Sequence, residues 1–220
     1  MIETILTPLK KVMHIISSGL LAPTIMVLLL FLAWLAIELG GLMVEIVTER
    51  RKSKIDIPKI INDFQGKNAE EVIGIIEQSD LFRRQKTVLG ELISYSNLPG
   101  TSLRALARRL IAKEELYYIR VTNRTDLVVR LGPMFGLMGT LIPLGPGIIA
   151  LGQGNTKVLA DSLLTAFDTT VTGLIVAGVA FGISRLRKRW YEDDLSVMEA
   201  LIESLLEVFA HERGIKKQEA

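Results

Sequence analysis

Three long stretches of the sequence carry almost no charge. The first extends from Gly19 to Ile37 and continues past Glu38 to Val44. The second, Leu131–Gly152, has no charged residue, and the third, Ser162–Ser184, has one, Asp168. Each is long enough to cross a hydrocarbon core of roughly 30 Å as a helix. The first is too long for a signal peptide, and no small-residue cleavage site followed by polar sequence accompanies it. The pattern predicts transmembrane helices over 19–47, 131–152 and 162–186, with the short extracytoplasmic link 153–161 between the last two.

Outside these runs, apolar residues return at helical spacing. Residues 1–18 read as an amphipathic surface helix interrupted near Pro8. Ile57, Ile60, Ile61 and Phe64, then Val72, Ile75 and Ile76, predict two or three short helices within 56–98. The NLPG run at 97–100 is a break, and Thr101 or Ser102 is positioned to cap the next helix. Leu103, Leu106, Leu110, Leu116 and Ile119 then lead towards Arg130 without a glycine or proline, predicting one long helix that enters the membrane as span two. Leu195, Met198, Leu201, Ile202, Leu205, Leu206 and Phe209 mark a C-terminal helix within 187–220. The expected fold is all-α: an integral membrane protein of three spans with a helical cytoplasmic domain over 48–130.

Charge placement orients the spans. Most of the 26 lysines and arginines lie between Arg50 and Arg130. Arg50, Arg51, Lys52 and Lys54 follow span one, and Arg185, Arg187, Lys188 and Arg189 follow span three. The link 153–161 has only Lys157, and the N-terminus has Lys10 and Lys11. Because basic residues stay on the cytoplasmic side, the N-terminus is expected outside an inner membrane and the C-terminus inside.

Composition narrows the chemistry. A chain 49% hydrophobic with mean hydropathy +0.37 is not disordered. A net charge of +2, with 26 lysines and arginines nearly balanced by 24 acids, argues against nucleic acid as a partner. There is no cysteine, and the histidines are His14 and His211 alone, so neither a metal nor any other cofactor is expected. No phosphate-binding GxxxxGK[ST] loop is present, so the chain is not expected to be an enzyme that hydrolyses nucleotide. The GxGxxA pattern at 145–150 lies inside a span with no preceding strand and is set aside as a dinucleotide site. The NRT triplet at 123–125 falls on the inner side, where it is not glycosylated.

The membrane runs contain polar groups that need an explanation. In span two, Gly132, Gly136 and Thr140 are spaced by four and share a face, with Gly139 beside them. Such small residues let helix backbones approach closely in lipid. Pro143 and Pro146, with Gly145 and Gly147, disfavour regular helix in the outer half. The carbonyls they free must be buried or wet, which predicts an inner helix. In span three, Asp168 stands among Thr165, Thr169, Thr170 and Thr172, with Gly173 and Gly178 as further small positions. An intramembrane acid faces a bundle interior or a water path, and often carries an ion. The bland alternative is a hydrogen bond to a neighbouring helix. At 100° per residue, Thr165 and Thr172 share Asp168's face, whereas Thr170 lies about 200° away. Asp168 and Thr170 therefore cannot both face one axis from a straight helix.

Two runs carry a resemblance. GPMFGLMGTL at 132–141 is similar to a P-x-x-G-L-L-G-T-V pattern, and TTVTGLIVA at 169–177 to T-x-x-G-L-x-V-A. Both belong to the proton-channel family of ExbB, TolQ and MotA, and the three-span layout resembles ExbB and TolQ more than four-span MotA. The resemblance implies a pentameric homo-oligomeric ring enclosing an ExbD/TolR/MotB-like single-span protein with its own intramembrane aspartate. It implies pore-lining roles for Thr140 and Thr170, and ion flow that moves the enclosed partner. Two departures stand out. The family's span-three glutamate falls at Thr165, leaving Asp168, one turn on, as its candidate replacement. The family's A-I-P-A proline is absent where 176–180 reads VAGVA, with Gly178 a candidate source of flexibility. The competing expectation is a passive membrane scaffold whose polar residues serve only packing.

Overall fold

The computed structural model describes residues 12–13, 15–16, 19–50 and 56–218. Most of the surface helix expected over 1–18 lies outside the described residues, as do Lys10, Lys11, His14 and the basic residues Arg51, Lys52 and Lys54. All regular structure among the described residues is helical. The helices are α1 (Leu21–Glu45), α2 (Ile57–Phe64), α3 (Ala69–Gln78), α4 (Arg83–Ser94), α5 (Gly100–Gly152) and α6 (Thr156–Gln218), with a π-helical turn, Ile46–Arg50, extending α1. Three helical stretches are long and apolar enough to cross a membrane: Leu21–Thr48, and parts of Gly100–Gly152 and Thr156–Arg213.

The chain divides into two compact units. One comprises Met1–Leu42 and Asn123–Arg185, the other Met43–Thr122 and Leu186–Ala220. In the first, α1 buries Thr24, Leu28, Leu35 and Leu42, one face repeating every four or seven residues. Its other faces leave Met26, Leu30, Ile37 and other large apolar side chains exposed, as a lipid-facing helix does. Phe31 meets Phe135 of α5 edge to face, with centroids 5.9 Å apart.

α5 and α6 turn back on each other through 153–155. Gly154 takes the left-handed φ of +76° that glycine tolerates, and the Asn155 side chain accepts from the Val158 N–H at 3.2 Å. This cap starts α6 at Thr156, inside the stretch expected as the link. α5 also runs unbroken through Pro133, Pro143 and Pro146, against the irregularity expected around Pro143. A lipid environment penalises unwound backbone, so a span keeps its remaining helical bonds even where prolines remove single donors.

The second unit is a helical bundle. α2 is capped by the Asp56 carboxylate, which accepts from the Lys59 N–H at 3.3 Å, and Pro58 occupies its first turn. α3 begins with Glu70 and Glu71, favourable at the positive end of a helix. The break at 97–100 leads directly into α5 at Gly100, with the Leu103 N–H donating to the Pro99 carbonyl at 2.9 Å. The helix thus opens before Thr101 and Ser102: Pro99 has no N–H to satisfy, and its carbonyl accepts the first helical bond. Phe64, Val72, Leu89, Leu92, Leu103, Met198, Leu201, Leu205 and Phe209 form the heart of the core. The apolar stripes of the sequence are therefore packing surfaces of this bundle for the most part, while Leu116 and Ile119 at the far end of the α5 stripe are exposed.

Candidate functional site

The site is built on the seam between α5 and α6 in the first unit. The backbones approach so closely that side chains are excluded at several positions. A Cβ on Gly132 would stand 3.0 Å from the Gly173 carbonyl, and one on Gly173 2.6 Å from the Gly132 carbonyl. A Cβ on Gly136 would reach the Thr169 carbonyl at 3.3 Å, and one on Gly139 the Thr169 Cβ at 2.5 Å. Gly178 takes no part: nothing lies within 4 Å of its Cβ position. Small residues at helical spacing on both partners create this proximity, which brings short side chains on adjacent helices within reach of each other.

Beyond the glycines, Thr140 and Thr170 meet hydroxyl to hydroxyl. Thr140 Oγ1 also lies 3.0 Å from the Gly136 carbonyl and 3.4 Å from that of Ala166. Both threonines are half-buried, at the margin of the seam rather than sealed in it. Each hydroxyl has one proton and two lone pairs. When Thr140 donates to Gly136, Thr170 can donate to Thr140, and reversing that bond needs only hydroxyl rotation.

The remaining polar residues separate from this pair. Thr169 is buried in the seam and back-bonds to the Thr165 and Ala166 carbonyls at 2.9 and 3.0 Å. Thr165 is half-buried and donates to the Asp161 carbonyl at 3.0 Å. Asp168 is exposed on the surface of the single chain. With Thr165, Thr169 and Thr172 it borders a groove whose other wall is Ile25, Leu28 and Leu29 of α1. The structure thus unites Thr140 with Thr170 and Asp168 with Thr165 and Thr172. It does not bring Asp168 to the Thr140–Thr170 pair, as the rotation of about 200° between residues 168 and 170 requires.

Sequence reasoning passed over Asp126, whose carboxylate accepts from the buried Ser184 hydroxyl where α5 and α6 leave the uncharged runs. Its position five residues before Leu131 was the available signal. In the second unit, Arg84 forms a two-pronged bond to the buried Glu114, at 2.9 and 3.0 Å, while lying 3.5 Å from the centroid of the Tyr117 ring. The Glu114 bond raises the Arg84 pKa further above its ordinary value. Tyr118 stacks on Tyr191 at 4.3 Å, and burial, reinforced by Asp194 and Glu114, pushes its phenol well above the ordinary tyrosine range. Arg187 and Glu45, both largely buried, pair at 3.3 Å.

The profile of the MotA/TolQ/ExbB proton channels matches residues 80–200, more than half of the chain. The chain belongs to the MotA/TolQ/ExbB proton channel family. The matched segment contains both glycine–threonine runs and the whole α5–α6 seam, whereas α1 lies outside it. Comparison with curated proteins returns no match. Membership in a channel family and three membrane-competent helices together make this a membrane protein.

Proposed function

We propose that the protein is the ring subunit of an ion-driven membrane motor, with the Thr140–Thr170 pair on the ion path. Five copies enclose an ExbD/TolR/MotB-like single-span partner that carries an intramembrane aspartate. Ions descending their gradient, worth about 2.3 kcal/mol per charge per 100 mV, drive movement of that partner. The subunit performs no bond chemistry of its own and is not an enzyme. It sits in the cytoplasmic membrane with its N-terminus outside, and the bundle that includes α2–α4 inside. The observation that carries the reading is the hydroxyl contact between two half-buried threonines at the margin of a glycine seam. A seam needed only for packing would be served equally well by alanine or valine at its margin.

The test is proton flux into liposomes containing the protein and its single-span partner, read with a pH-sensitive dye. Thr140→Val keeps the shape of the side chain and removes the hydroxyl. It is expected to lower flux at least tenfold with assembly unchanged, while Thr140→Ser retains most of it. Undiminished flux in Thr140→Val would reject the motor reading in favour of the passive scaffold.

A further inference from the structure

The second unit carries an open groove of about 820 Å³ along the C-terminal part of α6. One wall is a single face of that helix: Ala200, Glu203, Ser204, Glu207, Val208 and His211 follow one another at alternating steps of three and one. The other wall is Ile61, near the end of α2, with the turn 65–68, where Gly66 takes a left-handed φ of +71° and leads the chain into α3. The reverse face of the same stretch of α6, Leu201, Leu205 and Phe209, is sealed in the core, so the open face is held in place. From residue 200 to residue 211 it extends about 17 Å at 1.5 Å per residue, the length of three helical turns.

Shape and charge both select what fits there. Ala200, Ser204 and Val208 form one row at spacing four, short and half-buried. A row of this kind admits the ridge of a second helix. Glu203 and Glu207, one turn apart and exposed, flank the row, and among the described residues neither has a hydrogen bond or ion pair. Lys67, the cation on the opposite rim, is already paired with Glu71 at 3.1 Å. The unbalanced carboxylates favour a basic occupant and disfavour an acidic one. No group of acids or histidines able to hold a metal ion occurs among the described residues. A small cation would in any case leave the row uncovered, and an uncharged helix would gain nothing from the carboxylates. A helix with an apolar stripe and a basic flank uses both.

We propose that this groove is the docking site for a basic amphipathic helix of a partner protein. Its apolar stripe lies along Ala200, Ser204 and Val208, and lysines or arginines one turn apart meet Glu203 and Glu207. The site goes beyond the motor reading and does not rest on it.

The chain has no cysteine, so Ser204→Cys places a single thiol in the groove and Ser94→Cys a single thiol on the exposed surface of α4. Each full-length protein, in nanodiscs of phosphatidylcholine, is alkylated with N-ethylmaleimide beside a helical peptide of about twelve leucine, alanine and lysine residues, or its counterpart with glutamate for lysine. The lysine peptide is expected to slow alkylation of Ser204→Cys at least about tenfold and to leave Ser94→Cys unchanged, while the glutamate peptide protects neither. Adding Glu203→Lys and Glu207→Lys should raise the peptide concentration needed for protection at least about tenfold, and Glu203→Gln with Glu207→Gln, which keeps the side-chain size, should raise it by less. No protection of Ser204→Cys, equal protection by the two peptides, equal protection of the two thiols, or protection indifferent to the changes at Glu203 and Glu207 overturns the proposal. A Ser204→Cys thiol that reacts slowly without peptide, and is freed by dilution in detergent, assigns the groove to a second copy of the chain and overturns it as well. None of these measurements reads ion flux, so their failure leaves the motor reading standing, and undiminished flux in Thr140→Val leaves this site standing.

Discussion

Replacing Gly173 with alanine measures how much the approach of α5 and α6 depends on a missing side chain. The new Cβ would lie 2.6 Å from the Gly132 carbonyl oxygen and 2.9 Å from the Gly136 Cα. Ordinary contact begins near 3.4 Å, so the helices must part by about 0.8 Å. Both opposing atoms are backbone on a regular helix, so no side chain can rotate away. Overpacking costs typically about 1–3 kcal/mol, and the backbone clash argues for the upper end. Alanine's better helix propensity returns about 1 kcal/mol. The net expected loss is about 2 kcal/mol, and the separation also loosens the Thr140–Thr170 contact. Gly178→Ala, five residues along the same helix, meets nothing within 4 Å and has only the propensity gain. The two substitutions should therefore differ by about 3 kcal/mol, or about a hundredfold in the unfolding equilibrium, since each 1.4 kcal/mol is a factor of ten. Unfolding of the detergent-solubilised protein by sodium dodecyl sulfate, followed by far-ultraviolet circular dichroism, reads both values. A Gly173→Ala protein as stable as the parent, or less damaged than Gly178→Ala, would refute the close-packed seam.

Two further predictions concern the bundle. Arg84→Ala should cost about 2–3 kcal/mol, because it strands Glu114, whose side chain is only 6% exposed; this is below the usual range for a fully buried pair since Arg84 itself is 45% exposed. Glu114→Gln, which leaves Arg84 free to hydrate, should cost about 1 kcal/mol or less, and equal losses in thermal unfolding would contradict the asymmetry. Tyr118 has its folded-state pKa raised above the ordinary 10.0, so its contribution is intact below that pH and is lost as pH climbs above it. Alkaline destabilisation should therefore be shallower in Tyr118→Phe by up to about 1.4 kcal/mol per pH unit, and that variant should lack one late-titrating phenol in an absorbance titration.

Parts of the architecture are legible along the chain because they answer one-dimensional constraints. A hydrocarbon core admits only uninterrupted apolar runs of sufficient length, so the three stretches announce themselves. The stripe from Leu103 to Ile119 likewise signals a helix entering the second run, and α5 is continuous from Gly100 to Gly152. Thr140 and Thr170 stand out because glycines at helical spacing accompany both. Around Pro143 local preference pointed to irregular backbone, and the need to satisfy backbone groups in lipid prevailed. Thr101 and Ser102 looked like caps because cap preference is local, while the helix already begins at Gly100, with the Pro99 carbonyl accepting its first backbone bond.

Spacing along one helix decides which residues share a face, and so determined that Asp168 and Thr170 must part company. It left undetermined which neighbour each face would meet. That Thr170 turns to Thr140, and Asp168 to Ile25, Leu28 and Leu29, depends on how α1, α5 and α6 are rotated and crossed within their unit. The same holds for Arg84 with Glu114, 30 residues apart, and Arg187 with Glu45, 142 apart. Periodicity carries no information about such pairings, because rotating a helix about its axis changes its partners without changing its sequence. Only packing in three dimensions, where glycines permit contact and larger side chains forbid it, selects one arrangement.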